Sequence, residues 1–72
     1  MPADPRTLFG IRLAMLRKAH GLSQEALALE SGLARSYVGG VERGQRNIAL
    51  LNICKLAEAI GVRPSELMAF DD

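Results

Sequence analysis

Apolar residues recur along the chain at the three- and four-residue spacing of amphipathic helices, in stretches bounded by residues that start or stop helices. The first stretch opens with Asp4 and Pro5, an N-cap followed by a proline whose missing amide costs nothing in a first turn. It runs to about Ala19 or His20 and is closed by Gly21. The residues assigned to its buried stripe are Phe9, Leu13 and Leu16. We predict a first helix here.

Two shorter helices are predicted between Ser23 and Arg43, on either side of Gly32. Ser23 is a good N-cap for the first of them, and Gly32 can take the left-handed conformation that ends many helices. The second runs from about Arg35 to Arg43. Its inward residues are Val38 and Val41, with Arg35, Ser36, Gly39 and Gly40 turned largely away from them. Two short helices around a glycine turn form a helix-turn-helix, which can place its second helix in the major groove of DNA.

The last third of the chain predicts two more helices. One runs from about Leu50 to Ile60 and is closed by Gly61, and the other begins at Pro64. The inward positions of the longer helix are Leu50, Ile53, Leu56, Ala57 and Ile60. Cys54, beside that stripe, is expected to be a small buried or half-buried apolar residue. The predicted fold class is all-α, with five helices.

Length and composition limit the choice of function. Seventy-two residues allow one domain, here taken as residues 1–72 with a loose tail at 1–4. One cysteine and one histidine exclude an intramolecular disulfide and a four-ligand zinc site around Cys54, so we expect a reducing cytoplasm and no metal. Apolar runs are too short to span a membrane. Neither a catalytic set nor a phosphate-binding loop is present, so we expect no enzyme and no cofactor.

Charge is informative through its distribution, because the net value of +1 is a weak signal for nucleic-acid binding. The segment from Arg35 to Asn47 contains three arginines and a single acidic residue, Glu42. Asp71 and Asp72, by contrast, place negative charge at the end of the chain. That asymmetry fits a protein with one DNA-facing side.

A recognition helix enters DNA with its N-terminal end near the bases, so donors in its first turn can reach base edges. Arg35 could bridge the O6 and N7 atoms of a guanine, and Ser36 could bond to any base. These two residues are the first candidates for base reading.

The sequence resembles the Xre and Cro/cI-like helix-turn-helix regulators, and within them the small controller proteins of restriction-modification systems. The resemblance covers about Phe9 to Leu67 and depends on three motifs in combination, LSQEALALESGL, RSYVGGVERGQRN and LAEAIGV. It implies a lambda-repressor-like DNA-binding fold. It also adds Tyr37 and Arg46 to the base-reading candidates by position, although Arg46 could touch only phosphate and the Tyr37 ring could instead pack against the second helix with its hydroxyl at the surface.

Further roles are implied by the same resemblance. Gln24 matches the position that donates to a phosphate, and Arg43 and Asn47 are further DNA-backbone candidates, each with solvated surface as the alternative. Arg17 is implied to pair with Glu42, the alternative being a solvated or phosphate-touching arginine.

The linker departs from the family pattern at Ile48 and Ala49, where proline and then serine or threonine are usual. This departure removes the usual N-cap of the fourth helix. We therefore expect its start to fray, or Asn47 to cap it instead.

Gly39 and Gly40 each cost about 1 kcal/mol relative to alanine inside a helix, so something should favour them. The resemblance places Gly40 on the DNA-facing side, where glycine permits the closest approach to a base. We therefore count Gly40 with the base-reading residues. The alternative is that both glycines are merely tolerated.

Two functional classes remain. The first is a sequence-specific transcription regulator that binds double-stranded operator DNA as a homodimer, with its interface at the side of the fourth helix and along the fifth. The interface residues are expected to be Leu51, Met68 and Phe70. The second is a protein-interaction module on the same fold that does not read DNA. Steep salt dependence of duplex affinity distinguishes the first class.

Overall fold

A computed structural model of the chain describes residues 3–70. Within that range there are five helices and no strand, which confirms the predicted fold class. The helices are α1 Pro5–Ala19, α2 Gln24–Ser31, α3 Arg35–Glu42, α4 Leu50–Ile60 and α5 Pro64–Leu67. None of them is long and apolar enough to cross a membrane. Met1 and Pro2 of the predicted loose tail lie outside the described residues. Asp71 and Asp72 also lie outside them.

The helix ends are set by local capping. The Asp4 carboxylate accepts from the Arg6 amide at 2.9 Å and from its guanidinium, and these hydrogen bonds lower the pKa of Asp4. Ser23 Oγ accepts from the Ala26 amide at 3.0 Å. Gly32 and Gly61 take the left-handed conformation that ends α2 and α4. The predicted boundaries of these helices follow from contacts within one turn of chain.

The core lies where the five helices meet. Helix α1 packs on α3 and α5, α2 packs on α3 and α4, and α4 packs on α5. The core residues are Phe9, Leu13, Leu27, Ala28, Val38, Val41, Ile53, Leu56, Ala57, Ile60 and Leu67. Leu16, expected in the inner stripe, is partly buried against them. This arrangement holds the inward side of α3 against α1 and α2, while Arg35 and Ser36 of its other side are exposed.

Helix α1 crosses α3 at Gly10. A Cβ built at Gly10 would lie 2.5 Å from the Val41 carbonyl oxygen and 2.6 Å from that of Glu42, which is shorter than real contacts. At the end of α3, a Cβ on Gly44 would lie 2.9 Å from the Cα atom of Thr7. The two glycines therefore let the backbone of α1 lie directly against the last turn of α3.

The surface of α4 differs from the prediction. Leu50 was expected inward but is 73% exposed, as is Leu51, and Cys54 is exposed rather than buried. Leu50 lies in the first turn of α4, whereas the inward contacts of the helix begin at Ile53. Cys54 lies on average about 100° around the helix from Ile53, beyond the buried arc. The result is an apolar strip of three exposed residues.

The start of α4 has no side-chain cap. Ala49 occupies the N-cap position and no side chain accepts a hydrogen bond from the first-turn amides. The alternative in which Asn47 caps the helix is therefore not observed, because Ala49 and not Asn47 stands at the N-cap.

The C-terminal segment folds back onto α1. Phe70 is half-buried and its ring meets that of Phe9 edge-on, with 6.4 Å between the ring centroids. Phe70, one of the expected interface residues, is therefore partly covered by Phe9 of the same chain. Met68 remains 50% exposed.

Candidate nucleic-acid interface

The N-terminal end of α3 presents two polar side chains to solvent. Arg35 and Ser36 are both exposed, and Ala34 stands at the N-cap without a side-chain hydrogen bond. The Arg35 side chain is 63% exposed, and its Nε atom lies 3.8 Å from Glu25 Oε1 of α2. At this distance and exposure the pair holds the guanidinium weakly, so Arg35 is free to reach a ligand.

The opposite side of α3 is tied to α1 and α2 by a buried polar network. Arg17 Nε donates to Glu42 Oε2 at 2.6 Å and its Nη2 to Oε1 at 2.9 Å, while Nη1 donates to the Leu22 carbonyl at 2.9 Å. The two side chains are 10% and 7% exposed. The hydrogen bonds to Glu42 raise the pKa of Arg17, with the carboxylate charge acting in the same direction. The structure thus brings together the two residues of the expected pair.

Gln24 completes this network. Its Nε2 atom donates to Glu42 Oε1 at 2.9 Å, so α2 is joined to α3 at the same carboxylate. The amide nitrogen expected to face a phosphate is therefore engaged within the protein. A phosphate contact by Gln24 would have to use its second amide hydrogen.

The network changes the electrostatics of the outer side of α3. Glu42 is the one acidic residue of this segment, and its charge is neutralised within the protein by Arg17. Arg35, Arg43 and Arg46 are all exposed. The basic character of this surface is therefore stronger than the net charge of +1 for the chain indicates.

Tyr37 bridges α3 and α4. Its ring is half-buried against the core, and its hydroxyl accepts a hydrogen bond from Asn52 Nδ2 at 3.0 Å. The hydroxyl is therefore bonded to α4 and not free at the surface. Asn52 was missed from the sequence, because nothing in a pattern of apolar spacing pairs a surface asparagine with a tyrosine fifteen positions before it.

Gly39 and Gly40 are buried, although they were expected to lie largely away from the inward residues Val38 and Val41. They do lie on the outer side of α3, but arginine side chains cover them. A Cβ on Gly39 would lie 3.0 Å from Arg43 Nη1, and a Cβ on Gly40 would lie 3.2 Å from Arg46 Nε. The physical reason is that a helix surface without side chains leaves a shallow groove, in which long aliphatic stems can lie.

The remaining candidates lie around the end of α3. Arg43 is the C-cap residue, and its Nε atom donates to Gln45 Oε1 at 3.2 Å. Asn47 is exposed.

Successive residues of a helix are rotated by about 100° around its axis, so the residues of the outer side of α3 span an arc of roughly 140° around that axis. The arc contains Arg35, Gly39, Arg43, Ser36 and Gly40. A surface of exposed cations and one hydroxyl on a single helix face can bind phosphate and donate hydrogen bonds to base edges.

Comparisons with known proteins show what the whole chain is similar to. A family model described as Helix-turn-helix matches residues 13–67. Control protein C.BamHI of Bacillus amyloliquefaciens is 44% identical over 71 residues, which cover 97% of this chain and 88% of that protein. Control protein C.MunI of a Mycoplasma species is 39% identical over 67 residues, covering 92% and 90%. The crystal structure of the restriction-modification controller protein C.AhdI from Aeromonas hydrophila has 64% identity and a TM-score of 0.85, covering 86% of this chain and 94% of that one.

Proposed function

We propose, since this chain belongs to the Xre-like helix-turn-helix family of DNA-binding transcriptional regulators, that it acts as a homodimeric controller protein of a restriction-modification system. It would bind a pseudo-palindromic operator whose half-sites lie about 34 Å apart, one for each α3 helix. The observation that carries the proposal is the outer side of α3, where three exposed arginines stand while Arg17 neutralises the acidic residue of the segment. The cytoplasm, where the DNA is, is the proposed compartment. No cofactor, metal or catalytic step is needed for this role.

The roles of the side chains follow from their positions. Arg35 and Ser36, exposed in the first turn of α3, would read base edges. Arg43 and Asn47 would contact the DNA backbone, with Gln24 contributing through the amide hydrogen that Glu42 leaves free. Arg46, beside Tyr37, would reach the groove from the loop after α3.

Dimerisation is supported by the exposed apolar residues near the C-terminal half of the chain. Leu50 and Leu51 are each 73% exposed and Met68 is 50% exposed, with the half-buried Phe70 close to Met68 in sequence. Side chains of this kind are covered by partners more often than they remain in water on so small a domain. A second copy of this chain is the partner that a symmetric operator requires.

The base-reading role is tested with Arg35→Ala. The substitution should remove one bidentate contact per half-site, costing roughly 1–3 kcal/mol of discrimination, while non-specific binding persists through the other cations. Duplexes enriched from a random pool by the wild-type protein, and scrambled versions of them, are titrated with both proteins. An unchanged ratio of the two affinities would remove Arg35 from the reading set.

The dimer is tested by sedimentation at several protein concentrations, with Leu51→Glu and Met68→Ala as variants. Both should weaken association, the first more strongly because it places a charge in an apolar interface. Ile11→Glu on α1, which changes a residue 60% exposed and outside the proposed interface, is the control. A wild-type protein that stays monomeric at high concentration contradicts the proposal.

The second candidate function, a protein-interaction module, is distinguished by salt. Duplex affinity of a DNA-binding dimer should fall steeply with added salt, because each phosphate contact releases counterions. An interaction module should show little duplex affinity at any salt concentration. The controller role itself is tested by the neighbouring genes: an adjacent methyltransferase and endonuclease support it, whereas an adjacent toxin gene contradicts it.

A further inference from the structure

We propose that Gly40 is a positioning residue, which acts on DNA recognition through the side chain of Arg46 and does not itself approach the DNA. The inference rests on the proposed function. It replaces the expectation that Gly40 permits close approach of α3 to a base, because Gly40 is buried beneath an arginine in the free protein.

The side chain of Arg46 lies along α3 at Gly40. A Cβ on Gly40 would meet three successive atoms of that side chain, Cγ at 3.3 Å, Cδ at 3.8 Å and Nε at 3.2 Å. Because these atoms lie in the middle of the side chain and not only at its tip, the Arg46 side chain lies directly over Gly40. Two of these distances are tighter than most real Cβ contacts, so a methyl group there would displace the stem by a few tenths of an ångström.

The guanidinium of Arg46 also lies near an aromatic ring. Its guanidinium carbon lies 5.5 Å from the centroid of the Tyr37 ring, within the range of a cation–π contact. That ring is itself held, because the Tyr37 hydroxyl accepts from Asn52 of α4. Arg46 thus contacts both the surface of α3 at Gly40 and a ring that is itself held by α4.

The loop after α3 delivers Arg46 to this place. Gly44 has a φ of 76°, and the turn it makes lets the Gln45 amide donate to the Gly40 carbonyl at 2.9 Å. The chain therefore reverses directly over Gly40, and the next side chain is that of Arg46. Gly40 therefore has two contacts with this loop: its carbonyl accepts the hydrogen bond from Gln45, and its Cα lies under the Arg46 side chain.

Such an arrangement would order Arg46 before DNA binds. An arginine that is already held loses less conformational entropy on binding, and a small displacement of its guanidinium changes which acceptor it can reach. Gly40 would therefore affect the discrimination between sequences, through a residue in the binding surface.

A double-mutant cycle separates this role from direct approach by Gly40. Gly40→Ala is made in the wild-type protein and in an Arg46→Ala protein, and each variant is titrated against duplexes enriched from a random pool by the wild type and against scrambled duplexes. We expect Gly40→Ala to lower the ratio of the two affinities by about tenfold when Arg46 is present, and by less than about twofold when it is absent.

Gly39→Ala is the matched control. It gives the same gain in helix preference, but the one tight approach of its Cβ would be to the far end of the flexible Arg43 side chain, at 3.0 Å for Nη1, while Gln24 Oε1 lies at an ordinary contact distance of 3.6 Å. We expect it to leave the affinity ratio within about twofold of the wild type, because Arg43 can move its tip aside and is a backbone candidate. Melting temperatures at or above that of the wild type in both glycine variants show that folding is intact.

A readout without DNA keeps this inference separate from the proposed function. The Nε–Hε NMR resonance of Arg46 in the free protein should be shifted by the Tyr37 ring, and Gly40→Ala should move it while Gly39→Ala should not. A resonance unmoved by Gly40→Ala overturns the inference. So does an equal loss of discrimination with and without Arg46, which would mean that the glycine meets DNA itself, or no loss in either. Failure of the wild type to enrich any duplex would instead overturn the proposed function.

Discussion

The two sides of α3 use the same kinds of residue under different physical constraints. On the inner side, Gly10 of α1 lies against the carbonyl oxygens of Val41 and Glu42, and the ion pair of Arg17 with Glu42 is buried. On the outer side, Gly40 lies against the side chain of Arg46, and the ion pair of Arg35 with Glu25 is exposed. The inner contacts are with backbone and with desolvated charge, whereas the outer contacts are with side chains that can move.

This difference separates stability from recognition. Backbone atoms cannot move aside without displacing a whole helix, and a buried charge cannot lose its partner without a desolvation cost. Exposed arginines can be displaced or removed at little cost to folding. Substitutions of the same type on the two sides of α3 should therefore differ mainly in whether they change the free energy of unfolding.

The largest effect is expected from Arg17→Ala. It leaves the nearly buried Glu42 carboxylate with Gln24 as its remaining side-chain donor, so the free energy of unfolding should fall by roughly 3–5 kcal/mol. Urea denaturation followed by circular dichroism measures it. Glu25→Gln, which removes the acid of the exposed pair, is the control and should cost less than about 1 kcal/mol. Equal losses of unfolding free energy in the two variants would show that the buried pair stabilises the protein no more than the exposed pair does.

A smaller but clear loss is expected from Gly10→Ala. The added methyl group meets carbonyl oxygens at 2.5 Å and 2.6 Å, so α1 and α3 must separate, at a cost of roughly 1–3 kcal/mol despite the better helix preference of alanine. For a protein of this size that corresponds to a fall in melting temperature of about 4–8 °C per kcal/mol. Gly39→Ala, on the outer side, should raise the melting temperature. A rise in both variants would contradict the close crossing at Gly10.

The sequence predicted all five helices because most of their ends carry signals within one turn of chain, although α3 and α4 begin without a side-chain cap. Ser23 caps α2 through an amide three positions away, and Gly32 and Gly61 end their helices by their own backbone conformation. The exposure of Cys54 and Leu50 was not predicted, because helical spacing describes one helix and does not say where its neighbours stop.

The candidate site was predicted unevenly for the same reason. The exposure of Arg35 and Ser36 follows from their place in the first turn of α3, and the Arg17–Glu42 contact was implied by the family resemblance. Side chains brought together by folding were missed. Arg46 lies over Gly40 only because the loop reverses at Gly44, and the hydrogen bond from Asn52 to Tyr37 joins two helices.

The composition of α3 has a consequence for the order of folding. Its eight residues include two glycines and two valines, with no alanine or leucine, so its intrinsic helix preference is poor. Isolated helices shorter than about 12–15 residues are marginal in water even with better residues, and the segment would not be helical as a peptide. We expect its backbone to become ordered only as Val38 and Val41 pack against α1 and α2. The helix proposed to enter the major groove thus depends on the rest of the protein for its existence.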